Sequence, residues 1–207
     1  MIRMIVFVFV LVIALPLNAA ENKDFVDITE LDSSIMLDIR YATSRNFTGK
    51  IMYPVARCLL RRDAALRLLR VEQKLRKHGY RLIIFDGYRP LSVQKKFWNI
   101  MPDERYVADP SKGSRHNRGA AVDVSLADLA GHPLPMPSDY DDFSEKAHRD
   151  YTGASPESKK NCALLEGLMK EEGFEPFLTE WWHFDAPGWE HYPVSDFSLE
   201  EFKGEER

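Results

Sequence analysis

Six stretches of the chain carry a readable pattern of apolar and polar positions. After Asp63, which is placed to cap a helix, Ala65, Leu68, Leu69 and Leu75 recur at helical spacing, and Gly79 follows about one residue past the expected end near His78. The next segment, "RLIIF", is a short apolar run of strand length. It delivers "DGYRP", residues 86–90, in which Gly87 permits a turn and Pro90 can start a helix carrying Phe97 and Trp98. In "AAVDVSL" the aliphatic Val122, Val124 and Leu126 alternate with Ala121, Asp123 and Ser125, which predicts a strand that turns Asp123 away from the aliphatic face. Ser155 and Pro156 open a further helix to about Glu172, closed by Gly173. The aromatic density of "FLTEWWHFD", residues 177–185, favours a strand. Helices and strands are mixed without a repeating βαβ rhythm. The expectation is a single α+β domain with a mainly antiparallel central sheet flanked by helices.

Length and charge narrow this further. A chain of 207 residues suits one hydrophobic core. With 28 Lys plus Arg against 32 Asp plus Glu and no block of like charge, nothing marks a nucleic-acid surface. The first twenty residues differ from the rest. Arg3 precedes an apolar run over residues 4–17, and the small Ala19 and Ala20 follow, the pattern of a secretory signal. That run is shorter than the roughly 20 apolar residues of a membrane-spanning helix. Residues 1–20 are therefore expected to be removed, leaving residues 21–207 as one exported, periplasmic or secreted domain with no stable membrane insertion. A retained anchor is the alternative. Only Cys58 and Cys162 are present, too few for a disulfide scaffold. Export would permit one bridge, but two isolated buried thiols are the expectation, because Cys162 falls on an apolar helix face that suits a small hydrophobe.

The chemistry concentrates in "GSRHNRGAAVDVSL" and "EWWHF". A catalytic zinc site takes three ligands from His, Asp or Glu and keeps a fourth position open. His116, Asp123 and His183 offer two imidazoles and a carboxylate. Each alone is a weak signal, since a lone histidine in an aromatic strand is more often structural. Among the other histidines, His78 sits at a helix end, His132 and His191 lie near prolines, and His148 is in a charged stretch. Glu180 is the candidate general base, able to take a proton from water whose pKa a metal has lowered. On a regular strand residues 180 and 183 face opposite sides, so both can serve one site only if the strand starts or kinks between them. Arg89, at a strand's mouth, could stabilise negative charge on a carbonyl oxygen under attack; a surface salt bridge is its plainer role.

Taken together, these segments resemble a known family. "SRHNRGAAVDVSL" is similar to the S-x-H-x-x-G-x-A-x-D motif of the zinc D,D-peptidases, and "EWWHF" to their E-x-W-H motif. With "RYATSRNFTG", "DGYRP" and "YDDFSEKAH" in the same order, the chain looks most like the VanX-type D-alanyl-D-alanine dipeptidases from about Asp27 to Tyr192. The resemblance implies a Hedgehog/D,D-peptidase-like fold and one zinc per chain on His116, Asp123 and His183. It implies Glu180 as catalytic base and acid, and Arg89 as the group that stabilises the tetrahedral intermediate. For the dipeptide substrate it implies Asp141 at the ammonium, Ser114 near the carboxylate, and Tyr41 and Tyr53 as pocket walls. One departure is visible: Met136-Pro137 stands where the family often has Met-Gly, which can shift the loop before Asp141 and makes Asp142 a second candidate for the ammonium.

Two other functions share parts of this pattern. A D,D- or L,D-carboxypeptidase acting on peptidoglycan stems uses the same zinc motif but needs an open cleft. A non-catalytic zinc-containing wall-peptide binder would have no use for Glu180 and Arg89. An exported dipeptidase would act on released wall dipeptides. No feature of the sequence speaks to oligomeric state.

Overall fold

The computed structural model describes residues 24–204, so the expected signal segment, residues 1–20, lies outside the described residues. The chain opens with β1 (Phe25–Asp27), a single helical turn α1 (Ile28–Leu31) and β2 (Met36–Leu37). There follow β3 (Leu59–Arg61), α2 (Arg62–Lys77), β4 (Tyr80–Asp86), α3 (Leu91–Ile100), β5 (Ala121–Asp128), α4 (Pro156–Glu171), β6 (Glu175–Pro176) and β7 (His183–Asp185). β1 and β3 form a small antiparallel ribbon. The other strands make one five-stranded sheet in the order β2-β4-β5-β7-β6, parallel only between β2 and β4. The α+β expectation with a mainly antiparallel sheet holds.

The helices cover the sheet as their apolar stripes require. α2 packs on β4 and on α4, burying Ala65, Leu68 and Leu75 completely. Its first residue is Arg62, with Arg61 at the cap and no side-chain capping bond, so Asp63 lies inside the first turn instead of capping it. There its negative charge still suits the positive end of the helix dipole. α4 is capped as expected, Ser155 accepting from the Ser158 amide, with Pro156 as the first helical residue. In β5 the alternation is real but both faces are covered. Val122, Val124 and Leu126 are fully buried on one side, and Asp123 and Ser125 are 2% and 3% exposed on the other. The polar face of a central strand has been enclosed, and that enclosure is the site.

The segment 177–185 departs from expectation over most of its length. Only His183–Asp185 joins the sheet; residues 177–182 form a turn closed by the His183 amide donating to the Glu180 carbonyl, 3.2 Å. The strand thus begins after Glu180, which removes the difficulty of residues 180 and 183 facing opposite sides.

Candidate active site

Strand register brings together all of the centre except His116. Asp123 on β5 lies opposite His183 on β7, and Asp86 at the end of β4 lies opposite Asp123, beyond an irregularity between Ile84 and Asp86. Residues directly opposed in an antiparallel pair share a face, so these three side chains stand in a row across three strands. His116 comes from a short 3-10 turn, His116–Arg118, ended by Gly119 in the left-handed conformation at φ 68°. A side chain at Gly119 would also collide with Phe25, its Cβ lying 2.1 Å from the ring, so the turn that presents His116 depends on glycine there. Asn117 ties this turn to the neighbouring loop: its Nδ2 donates to the Arg89 carbonyl at 2.7 Å and its Oδ1 accepts from the Ser114 amide at 2.7 Å.

Three ligand-type atoms converge. His116 Nε2 is 3.1 Å from His183 Nδ1 and 3.4 Å from Asp123 Oδ1, and His183 Nδ1 is 3.0 Å from Asp123 Oδ1. Atoms bonded at about 2.0–2.2 Å to one tetrahedral ion lie roughly 3.3–3.6 Å apart, so the triangle is such a face drawn in by a few tenths of an ångström on two sides. The far side of each imidazole is occupied. His116 Nδ1 lies 2.8 Å from the Gly87 carbonyl and His183 Nε2 lies 2.8 Å from Asp185 Oδ1, both positions for N–H donors. That assignment leaves a lone pair on each inner nitrogen, and with Asp123 Oδ1 it brings three acceptors together with no donor among them. A cation satisfies such a set. The residues therefore fit one metal ion, and His116, Asp123 and His183 form the metal-ligating group among the described residues.

Without the ion a proton takes its place on His183 Nδ1, between Asp123 and the other imidazole, and metal binding displaces that proton. Burial opposes a charged His183, yet hydrogen bonds to Asp123 and Asp185 outweigh it and raise its pKa to about 10. Burial likewise opposes the Asp123 carboxylate, but the two imidazoles hold its pKa well below the usual range. The site is built to keep positive charge between carboxylates.

Around this triangle the chain closes a cavity of about 520 Å³, lined among others by Tyr41, Arg89, Ser114, Asp141, Glu180 and all three ligand-type residues. Glu180 Oε2 is 3.8 Å from His183 Nδ1, and burial pushes the Glu180 pKa upward. Arg89 is far from a surface salt bridge. Its Nε and Nη2 donate to Asp86 Oδ2 at 3.2 and 2.8 Å, and its Nη1 donates to Gln94 Oε1 at 3.0 Å. Its guanidinium also lies 4.8 Å from the Phe97 ring centroid and 5.1 Å from that of Tyr41. Asp141 adopts φ 61°, unusual for a non-glycine residue. Its carboxylate accepts from Tyr41 Oη at 3.0 Å and from the Phe47 amide at 3.1 Å. Burial outweighs those bonds and lifts its pKa to about 7.

Two expected substrate contacts need correction. Tyr53 is not a cavity wall: it is 1% exposed and sits behind the cavity, donating to Asp86 Oδ1 at 2.8 Å. Asp142, the second candidate for the ammonium, is turned to the Ser144 amide at 2.8 Å and does not line the cavity. Cys58 and Cys162 are free thiols, Cys58 fully buried and Cys162 half-buried. Sequence reasoning missed three supporting residues. Asp185 had a signal, because it lies two residues beyond His183 on the same strand face. Asp86 had one too, three residues before Arg89 in "DGYRP". Tyr140 opens the family-like segment "YDDFSEKAH", but nothing in the sequence ties it to Asp123: its hydroxyl donates to Asp123 Oδ2 at 2.8 Å across 17 residues.

A mixed antiparallel sheet presenting two imidazoles and a carboxylate beside a buried glutamate and a fixed arginine defines a metallopeptidase. The family comparison agrees. Residues 21–200 match the D-ala-D-ala dipeptidase family, and the chain belongs to that family. It is similar to the D-alanyl-D-alanine dipeptidase of Escherichia coli, with 35% identity covering 84% of this chain and 91% of that protein. The D-alanyl-D-alanine dipeptidase of Enterococcus faecium is 32% identical, covering 84% of this chain and 96% of that one. The Enterococcus faecalis protein of the same name is 30% identical, covering 86% and 98%.

Proposed function

We propose that the chain hydrolyses D-alanyl-D-alanine to two D-alanines, with one zinc ion held by His116, Asp123 and His183. The observation that carries this reading is the triangle of three acceptor atoms, 3.0 to 3.4 Å apart, opening into the cavity that also holds Glu180 and Arg89. Membership of a family whose relatives are named D-alanyl-D-alanine dipeptidases supports the substrate. When bound in such a site, zinc polarises a carbonyl and makes water easier to deprotonate.

The chain's own residues supply the rest. Glu180 takes a proton as water oxygen attacks the scissile carbonyl carbon, and it returns a proton to the amine nitrogen as the C–N bond breaks. Its raised pKa suits both transfers. Arg89 faces the developing negative charge on the carbonyl oxygen, and Asp86 and Gln94 fix it there before the substrate arrives. Asp141 receives the dipeptide's ammonium; a cation there restores the charged carboxylate that burial disfavours. Tyr41 holds the Asp141 carboxylate, and Ser114 lies on the wall where the substrate carboxylate would sit. No covalent enzyme intermediate is required.

The apolar run over residues 4–17 behind Arg3 supports export, with residues 21–207 as the working domain and released wall dipeptides as the substrate source. The test is direct. The purified protein should release D-alanine from D-alanyl-D-alanine, lose that activity on chelation and recover it with zinc. No release by the zinc-loaded protein would overturn the reading.

A further inference from the structure

The cavity of about 520 Å³ is partly open, with the metal-ligating group in one part and Glu104, Arg105 and Lys112 among its lining. The lining beside Asp141 has a different chemical character. Phe47, Tyr106 and Phe143 all line the cavity and are all only partly buried. The Phe143 ring lies 5.5 Å from Phe47 and 4.7 Å from Tyr106, and Phe97 closes the floor at 5.2 Å from Phe47. These are the spacings of a packed aromatic cluster with one side left open to the cavity.

The cluster and the carboxylate are one structural unit. The Phe47 amide donates to Asp141 Oδ2, and Phe143 follows Asp141 by two residues. Whatever places an ammonium on Asp141 also places the carbon bearing that ammonium beside these rings. The side chain on that same carbon belongs to the amino-terminal residue of the dipeptide. A methyl group there leaves the aromatic faces in water.

Resting on the dipeptidase reading above, we infer that this aromatic compartment takes a bulky apolar side chain on the amino-terminal residue. The substrate class is then dipeptides of the form X-D-alanine in which X is a D-amino acid such as leucine or phenylalanine, preferred over D-alanine itself. The preference follows from burial of apolar surface that alanine cannot supply. Extra methylenes in a hydrophobic pocket are worth on the order of 10- to 200-fold in discrimination, so D-Leu-D-Ala should exceed D-Ala-D-Ala in kcat/KM by about tenfold or more.

The experiment measures kcat/KM of the zinc-loaded protein on D-Ala-D-Ala, D-Leu-D-Ala and D-Phe-D-Ala, and repeats the set for Phe143→Ala and Phe143→Trp. In the parent protein the larger substrates lead. In Phe143→Ala, which removes a wall, the ratio of D-Leu-D-Ala to D-Ala-D-Ala falls toward one, and in Phe143→Trp, which fills the space, it falls below one. A parent ratio of one or less for both larger substrates overturns the inference while leaving D-Ala-D-Ala hydrolysis intact. No cleavage of any of the three overturns the dipeptidase reading and the inference with it.

Discussion

Tyr140→Phe removes one oxygen atom from the support of the metal-ligating group and changes little else. The ring packs against Phe85 at 5.0 Å, Trp182 at 5.3 Å and Tyr41 at 5.9 Å, contacts that phenylalanine keeps. What disappears is the 2.8 Å hydrogen bond from the Tyr140 hydroxyl to Asp123 Oδ2. Asp123 is 2% exposed, so water does not readily replace the donor. A hydrogen bond to a charged group contributes about 1.5–3 kcal/mol, and a buried acceptor left unpaired incurs its full desolvation cost. The freed carboxylate can then rotate between its two imidazole neighbours instead of holding Oδ1 toward the metal. Loss of such supporting contacts typically weakens metal affinity by 10- to 100-fold, and that range is expected here. The assay is competition for zinc between the metal-free protein and a chromogenic chelator, parent against variant. Denaturation of both metal-free proteins gives the accompanying loss of stability. An affinity unchanged from the parent's refutes the reasoning, because it would mean that the hydroxyl does nothing for the ligand it touches.

Glu180→Gln should retain zinc and fold while turnover falls by roughly 10²- to 10⁴-fold, the contribution of a general base; turnover at the parent rate would remove Glu180 from the mechanism. Asp86→Asn strips Arg89 of its buried counter-charge, which should lower stability by about 3–5 kcal/mol and depress kcat more than it raises KM. Stability measured by denaturation, together with the split between kcat and KM, checks both halves. Asp141 carries a pH signature of the substrate-free protein. Its pKa in the fold, about 7, stands above the ordinary 3.8 because burial outweighs its hydrogen bonds, so between these values the folded chain binds more protons than the unfolded one. The Asp141 carboxylate therefore costs stability as pH rises through that window. Asp141→Asn should gain on the parent by up to about 4 kcal/mol between pH 4 and pH 7 and hold that gain above; denaturation curves at pH 4 and pH 8 that differ equally for both proteins would contradict it.

Much of this site is legible in the sequence, and the reasons are local. His116 and Asp123 lie in one continuous segment whose small residues and alternation fix a turn followed by a strand. The long helices were readable because Ser155 and Pro156 start one and because Ala65, Leu68 and Leu75 repeat along the other. What was not legible depends on distant contacts. Periodicity cannot show that the polar face of β5 is roofed over, and so it cannot distinguish an exposed Asp123 from one 2% exposed. The aromatic run before His183 satisfied strand propensity, yet residues 177–182 turn because the Trp181 amide bonds the Ala147 carbonyl and the Arg149 side chain bonds the Phe177 carbonyl. Tyr53 was placed at the cavity by resemblance, but packing moved it one layer back, onto Asp86. Tyr140 lies in a polar stretch with no periodicity, and only the fold brings it to Asp123.

The measurement that bears most directly on the dipeptidase assignment compares kcat/KM of the zinc-loaded protein for D-Ala-D-Ala and for N-acetyl-D-Ala-D-Ala. Acylation removes the ammonium and leaves the Asp141 carboxylate buried without a partner, a loss of about 3–5 kcal/mol. The free dipeptide should therefore be favoured by roughly 10²- to 10³-fold or more. Equal values for the two substrates would contradict the dipeptidase and identify a carboxypeptidase in its place.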